Sequence, residues 1–232
     1  MTKKNLVLLP ALMCDYRLYA HQIKTLSPYY NILNFNFTNI TNIVDAANFV
    51  LKQCENEKFS LVGTSMGGYI AMEIMRINSS LVEKLCLINT SWQEDSLEKK
   101  QHRLSTIEVA KNLPANSYMI DDNTIKSYLY TQTEEKNKLI KTMFKELGNE
   151  VFINQQQIIL SRTSSENQFA KYNVPTLIVS GKYDEITQAS VHRSMYNALP
   201  CGEIVVIDEC SHLSPIDQPV ALSATLQLFL GT

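Results

Sequence analysis

Ser65 lies in Gly63-Thr64-Ser65-Met66-Gly67, preceded by the apolar run Phe59-Ser60-Leu61-Val62 and followed by Gly68-Tyr69-Ile70-Ala71-Met72. The first run has the pattern of a buried strand and the second that of a helix, so the serine falls at the turn between them. A turn that tight leaves no room for bulk two residues before or after the serine, which gives the glycines at 63 and 67 a steric purpose. Ser65 is therefore expected to stand above a sheet with its hydroxyl exposed. That is the placement a nucleophile needs once a neighbouring base takes its proton.

The rest of the chain must supply the sheet and the partners. Its 232 residues, 45% of them hydrophobic, suit one large α/β domain carrying an insertion. A net charge of -2 without any Lys/Arg block gives no electrostatic footprint for nucleic acid or an anionic membrane. The expected partner is a small, neutral or weakly charged molecule. Five cysteines (Cys14, Cys54, Cys86, Cys201, Cys210) without Cys-x-x-Cys spacing suggest reduced thiols, with neither a disulfide framework nor a zinc site. Lys3 and Lys4 followed by Leu6 to Leu9 and Cys14 superficially suggest a secretory leader. The run is short and broken by Pro10, and bulky Met13 stands where a cleavage site needs a small residue, so a cytoplasmic location is expected. No other run approaches the length of a membrane span.

Apolar patterning predicts strands at Asn5–Leu9, Tyr30–Phe37, Phe59–Val62 and Lys84–Ile88, alternating with helices at Tyr16–Leu26, Val44–Cys54 and Met66–Ile77. Strands that read as continuous apolar runs between helices imply a mainly parallel sheet covered on both faces. From Ser91 to Lys171 the alternation stops. Helical patterns at Glu94–Asn112, Asp122–Thr131, Glu134–Leu147 and Glu150–Leu160, interrupted at Pro114 and Gly148, suggest a helical cap over 91–171 inserted into a core of 1–90 and 172–232. Alternation resumes with a strand at Val174–Ser180, a helix at Gln188–Leu199, a strand at Glu203–Ile207 and a last helix at Pro219–Phe229.

In this layout the chain resembles the α/β-hydrolase fold superfamily over nearly its whole length. The resemblance implies a triad in the order nucleophile, acid, histidine. Ser65 is followed by Asp184 in Val179-Ser180-Gly181-Lys182-Tyr183-Asp184 and by His212 in Cys210-Ser211-His212-Leu213, both just beyond predicted strands. His212 would accept the Ser65 proton, and Asp184 would hold the imidazole in the required tautomer and stabilise the imidazolium. Asp208, at the end of the strand Glu203–Ile207, is the rival acid. The resemblance further implies an oxyanion hole of two backbone N–H groups, Met66 after the nucleophile and Leu12 in the loop after the first strand. Where relatives commonly carry His-Gly, this loop reads Pro10-Ala11, and an alanine there restricts the backbone.

Trp92, the sole tryptophan, suits either the pocket mouth or a packing anchor for the cap; Tyr118, Tyr128 and Tyr130 could line the mouth too, but they equally suit cap core or surface and none is assigned to the site. His21, His102 and His192 lack metal-ligand spacing, and there is no Gly-x-Gly-x-x-Gly or phosphate loop, so neither a metal nor a cofactor is expected. The resulting expectation is a serine hydrolase that cleaves a small ester, thioester or lactone through an acyl-enzyme on Ser65. A carbon–carbon bond hydrolase or lyase on the same fold would need positive groups in the pocket for a carboxylate. A ligand-binding module on the same scaffold would show little turnover.

Overall fold

The computed structural model describes residues 3–114 and 120–232. Six strands, β1 (Lys4–Leu9), β2 (Tyr30–Asn34), β3 (Phe59–Thr64), β4 (Val82–Ile88), β5 (Thr176–Gly181) and β6 (Gly202–Ile207), form one sheet in the order β2-β1-β3-β4-β5-β6. Every pairing is parallel. The chain is thus an α/β fold whose sheet is covered on both faces. Every residue of β3 and β5 is buried, which is why those strands carry almost no polar alternation.

One apolar cluster gathers Leu6, Leu8, Val62, Cys86, Ile88, Leu177 and Val179 from the sheet. A second gathers Val7, Leu9, Leu61, Leu85, Leu87 and Ile178, so alternate residues of each strand feed opposite layers. The flanking helices are α1 (Ala20–Leu26), α2 (Ile43–Gln53), α3 (Met66–Asn78), α8 (Ala189–Asn197), the short α9 (Ser214–Asp217) and α10 (Pro219–Leu230). Among the described residues between β4 and β5 lie four more, α4 (Leu97–Lys111), α5 (Asp122–Tyr128), α6 (Glu134–Leu160) and α7 (Glu166–Phe169).

Several boundaries differ from the patterning for physical reasons. The strand expected to reach Phe37 stops at Asn34. Phe35 and Phe37 are buried by edge-on packing with Phe49 (5.8 and 6.5 Å between ring centroids) rather than by pairing in the sheet. The Phe37 and Thr38 carbonyls instead accept the side-chain amides of Gln155 and Asn154. The break expected at Gly148 is present: the two helical stretches of α6 meet there at a kink, where Gly148 takes the non-helical φ 74°, ψ −177°, a conformation open to glycine. α4 begins at Leu97 rather than Glu94 because Ser96 caps it, accepting the Lys99 N–H at 3.3 Å.

Candidate active site

β3 delivers Ser65 at its end, in a left-handed conformation (φ 53°, ψ −113°) that costs a non-glycine residue about 1–3 kcal/mol. The neighbourhood holds it there. The Ser65 N–H donates to the Ile88 carbonyl (3.0 Å), and the Ser65 carbonyl accepts the Thr90 hydroxyl (2.8 Å) and the Gly68 N–H (2.9 Å). A Cβ on Gly63 would meet the Gly67 backbone, and one on Gly67 would meet the Leu9 carbonyl, so neither position can carry a side chain without moving backbone.

The loops after β5 and β6 bring Asp184 and His212 to the same edge of the sheet. His212 Nε2 lies 2.9 Å from Ser65 Oγ, and His212 Nδ1 lies 2.9 Å from Asp184 Oδ2. Asp184 is buried and also accepts the Ile186 and Thr187 N–H groups on Oδ1 and the Thr187 hydroxyl on Oδ2 (2.6 Å). Burial alone would raise the Asp184 pKa. The charge and hydrogen bond of His212 and the Thr187 donors outweigh it, holding the carboxyl below its ordinary range. Asp208 points elsewhere: it is exposed and pairs with Lys182 at 3.0 Å. Thr187 was not singled out from the sequence, although its position three residues after Asp184 is the spacing at which a hydroxyl and an N–H can both return to a carboxylate.

The loop after β1 carries Leu12. Here the left-handed residue is Met13 (φ 55°) and not Ala11, so the alanine in the glycine position meets no backbone penalty. Gln155 of α6 braces the loop by accepting the Met13 N–H at 2.7 Å. Among the described residues, the N–H groups of Leu12 and Met66 donate to no protein acceptor.

A cavity of about 1230 Å³ adjoins this constellation. It reaches the triad's surroundings through Leu12, Thr187 and Tyr128, whose ring centroid lies 5.9 Å from that of His212, whereas Ser65 and His212 themselves are not in its lining. Trp92 is also absent from the lining. Ser91 and Gln93 line the cavity, while the Trp92 indole is buried and packs edge-on against Phe169 (5.0 Å, 84°). Tyr130 stacks on Tyr183 at 4.5 Å, and Tyr118 lies outside the described residues.

On the cavity wall, Arg162 binds Asp95 through two nitrogens and lies over the Tyr69 ring at 4.1 Å. Arg103 reaches the same carboxylate (2.6 Å) and donates to Gln156 (2.8 Å). Burial works against the Asp95 charge, but the two guanidiniums hold its carboxyl below the ordinary range. Two cations share one anion here.

Of the other histidines, His21 bonds the Ser223 hydroxyl through Nδ1 (2.8 Å), and His102 is exposed on the cavity lining. His192 is fully buried, bonded through Nδ1 to Ser180 Oγ (2.8 Å) and, among the described residues, without a hydrogen-bond partner on Nε2. Burial pushes its pKa down from 6.5 to about 4. Above pH 6.5 neither folded nor unfolded His192 is charged. Between 6.5 and 4 only the unfolded chain binds the proton, so stability falls as pH falls. From pH 7 to 4.5 the loss at this site is expected to be about 2–3 kcal/mol. Urea unfolding at the two pH values should show a smaller acid loss in His192→Gln, and equal losses in both proteins would contradict the assignment.

Comparison with known proteins agrees with this architecture. The family described as the alpha/beta hydrolase fold matches residues 15–219, and the chain belongs to it. An sn-1-specific diacylglycerol lipase of Danio rerio is 22% identical over 195 residues, covering 78% of this chain and 60% of its own length. A 2-hydroxy-6-oxo-6-(2'-aminophenyl)hexa-2,4-dienoic acid hydrolase of Metapseudomonas resinovorans is 25% identical over 239 residues, covering 96% of this chain and 77% of its own. Among solved structures, a thermophilic esterase from Thermogutta terrifontis superposes with a TM-score of 0.84 at 20% identity, over 99% of this chain and 90% of that one. At that identity the likeness carries the fold. No helix among the described residues is long and apolar enough to cross a membrane.

Proposed function

We propose that this hydrolase of the α/β fold cleaves a small carboxylic ester, thioester or lactone through an acyl-enzyme on Ser65. The observation that carries the reading is the unbroken hydrogen-bonded chain from Ser65 Oγ through His212 to Asp184, with both links at 2.9 Å. In this reading His212 takes the hydroxyl proton as Ser65 attacks the carbonyl, and Asp184 stabilises the imidazolium. The N–H groups of Leu12 and Met66 receive the oxyanion. His212 then passes its proton to the leaving oxygen or sulfur, and water activated by the same imidazole releases the acid and restores Ser65. The helices between β4 and β5 act as a cap that shapes the acyl pocket. A panel of short-chain p-nitrophenyl esters, thioesters and lactones tests the reading. Multiple turnovers that cease in Ser65→Ala support it, and turnover that persists in that variant refutes it.

A second reading is favoured by Arg103 and Arg162 on the cavity wall, because positive groups there suit a substrate bearing a carboxylate, as the name of the dienoic acid hydrolase indicates for that relative. Among the described residues, Arg103 Nη2 makes no protein hydrogen bond and remains able to bind an anion. If the substrate is anionic, Arg103→Gln should raise KM for carboxylate-bearing dienones or lactones about tenfold and leave neutral esters within about twofold. Equal effects on both substrate types would remove this reading.

A further inference from the structure

The first residue after β4, Asn89, has no role in the chemistry derived above, yet it lies between the two loops that present Asp184 and His212. It is fully buried and, like Ser65, takes a left-handed backbone (φ 45°), a conformation asparagine tolerates better than most residues. Its backbone N–H continues the sheet by donating to the Val179 carbonyl of β5 (2.9 Å). Its side-chain amide leaves the sheet and uses all of its bonding capacity. Nδ2 donates to the carbonyls of Ser211 (2.6 Å) and of His212 itself (2.8 Å). Oδ1 accepts the Gly181 N–H (3.0 Å), three residues before Asp184, and the Ser214 hydroxyl (3.1 Å), two residues after His212.

The geometry points to Asn89 as the positioning residue that sets His212 against Asp184, a role that rests on the hydrolase reading above. Four bonds from one planar amide tie the acid-bearing strand end to the histidine loop on both sides of His212. The orientation is fixed by chemistry: the two carbonyls require the NH₂ group, and the Gly181 N–H requires the oxygen. The next residue, Thr90, bonds the Ser65 carbonyl, so consecutive positions after β4 hold all three members of the triad. Without the amide, the His212 carbonyl loses its donor in a buried place, and the Ser211 carbonyl keeps only the weak Cys210 thiol at 3.5 Å. The loop then relaxes, and two 2.9 Å contacts that must hold together no longer do.

The consequence is kinetic. A misplacement of about 1 Å in a reacting group costs on the order of 100-fold in rate, so Asn89→Ala is expected to lower kcat by about that factor with KM within about threefold of wild type. Asn89→Asp, nearly isosteric, turns a carboxylate toward two carbonyls and adds negative charge near His212. It is expected to shift the acid limb of the kcat profile to higher pH, because an anion stabilises the imidazolium. Asn149→Ala provides the control, since Asn149 is a buried asparagine whose Nδ2 donates to the carbonyls of Ala110, Leu113 and Pro114, away from the triad. Three measurements on purified wild type and variants decide the matter: p-nitrophenyl acetate kinetics, thermal melting, and the low-field proton NMR signal of the His212 Nδ1–H. The assignment predicts that Asn89→Ala loses both kcat and the low-field signal while Asn149→Ala, with a comparable drop in melting temperature, keeps them. Equal kcat losses in the two variants, or an Asn89→Ala enzyme with unchanged kcat and signal, would overturn it. A wild type that turns over no ester would refute the hydrolase reading instead, and the NMR signal would then decide the Asn89 assignment on its own.

Discussion

Ser65→Ala is expected to lower kcat for any cleaved ester by a factor on the order of 10⁶ while melting within a few degrees of wild type. The fold is expected to survive because, among the described residues, the Ser65 hydroxyl bonds only His212 Nε2, whereas the turn is held by backbone contacts with Ile88, Gly68 and the Thr90 hydroxyl. Alanine keeps those contacts and removes only the reacting atom. His212→Ala should lose a similar factor, and the double variant should lose little more than either single one, because nucleophile and base act as a unit. Steady-state kinetics with active-site titration and thermal melting check this. A variant that folds and retains even a tenth of wild-type kcat would exclude Ser65 as the nucleophile.

Asp184→Asn is expected to reduce kcat by about four orders of magnitude, with KM little changed. The carboxylate accepts from His212, Ile186 and Thr187 at once, and an asparagine cannot reproduce this set. Either its NH₂ faces His212 Nδ1 and selects the tautomer unable to take the Ser65 proton, or it faces the Thr187 donors and breaks the loop. Thr187→Val should give a smaller loss, through the same carboxylate. Asp208→Asn should leave kcat within about twofold, since it removes only an exposed pair with Lys182. A large loss in Asp208→Asn with a small one in Asp184→Asn would reverse the assignment of the acid.

The parts of this arrangement readable in the sequence are those written in local pattern. The continuous apolar runs that became β3 and β5 announced strands buried on both faces. Glycines at 63 and 67 marked the turn around Ser65, and the loops after two later strands held His212 and two candidate acids, Asp184 and Asp208, of which the fold brings Asp184 to the imidazole. Asn89 and Gln155 were not readable, because each acts through a partner that only the folded chain brings near, whereas Thr187 carried a local signal in its position three residues after Asp184. Gln155, for instance, braces the loop after β1 from 142 residues away. Trp92 suited a pocket mouth and a packing anchor equally well in the sequence, and the Phe169 ring it packs against is a partner that only the folded chain brings near. Burial of Phe35 and Phe37 by Phe49 imitated a longer strand in the apolar pattern. Arg103 and Arg162 could not be placed on the cavity wall without the packing of α4 against α6.

The most direct test of the central claim is covalent labelling with a small fluorophosphonate, read by intact mass and peptide mapping on wild type and His212→Ala. The account predicts one stoichiometric adduct on Ser65 in the wild type and a nearly complete loss of labelling without His212. A well-folded wild type that takes up no label, or a label on a residue other than Ser65, would contradict it.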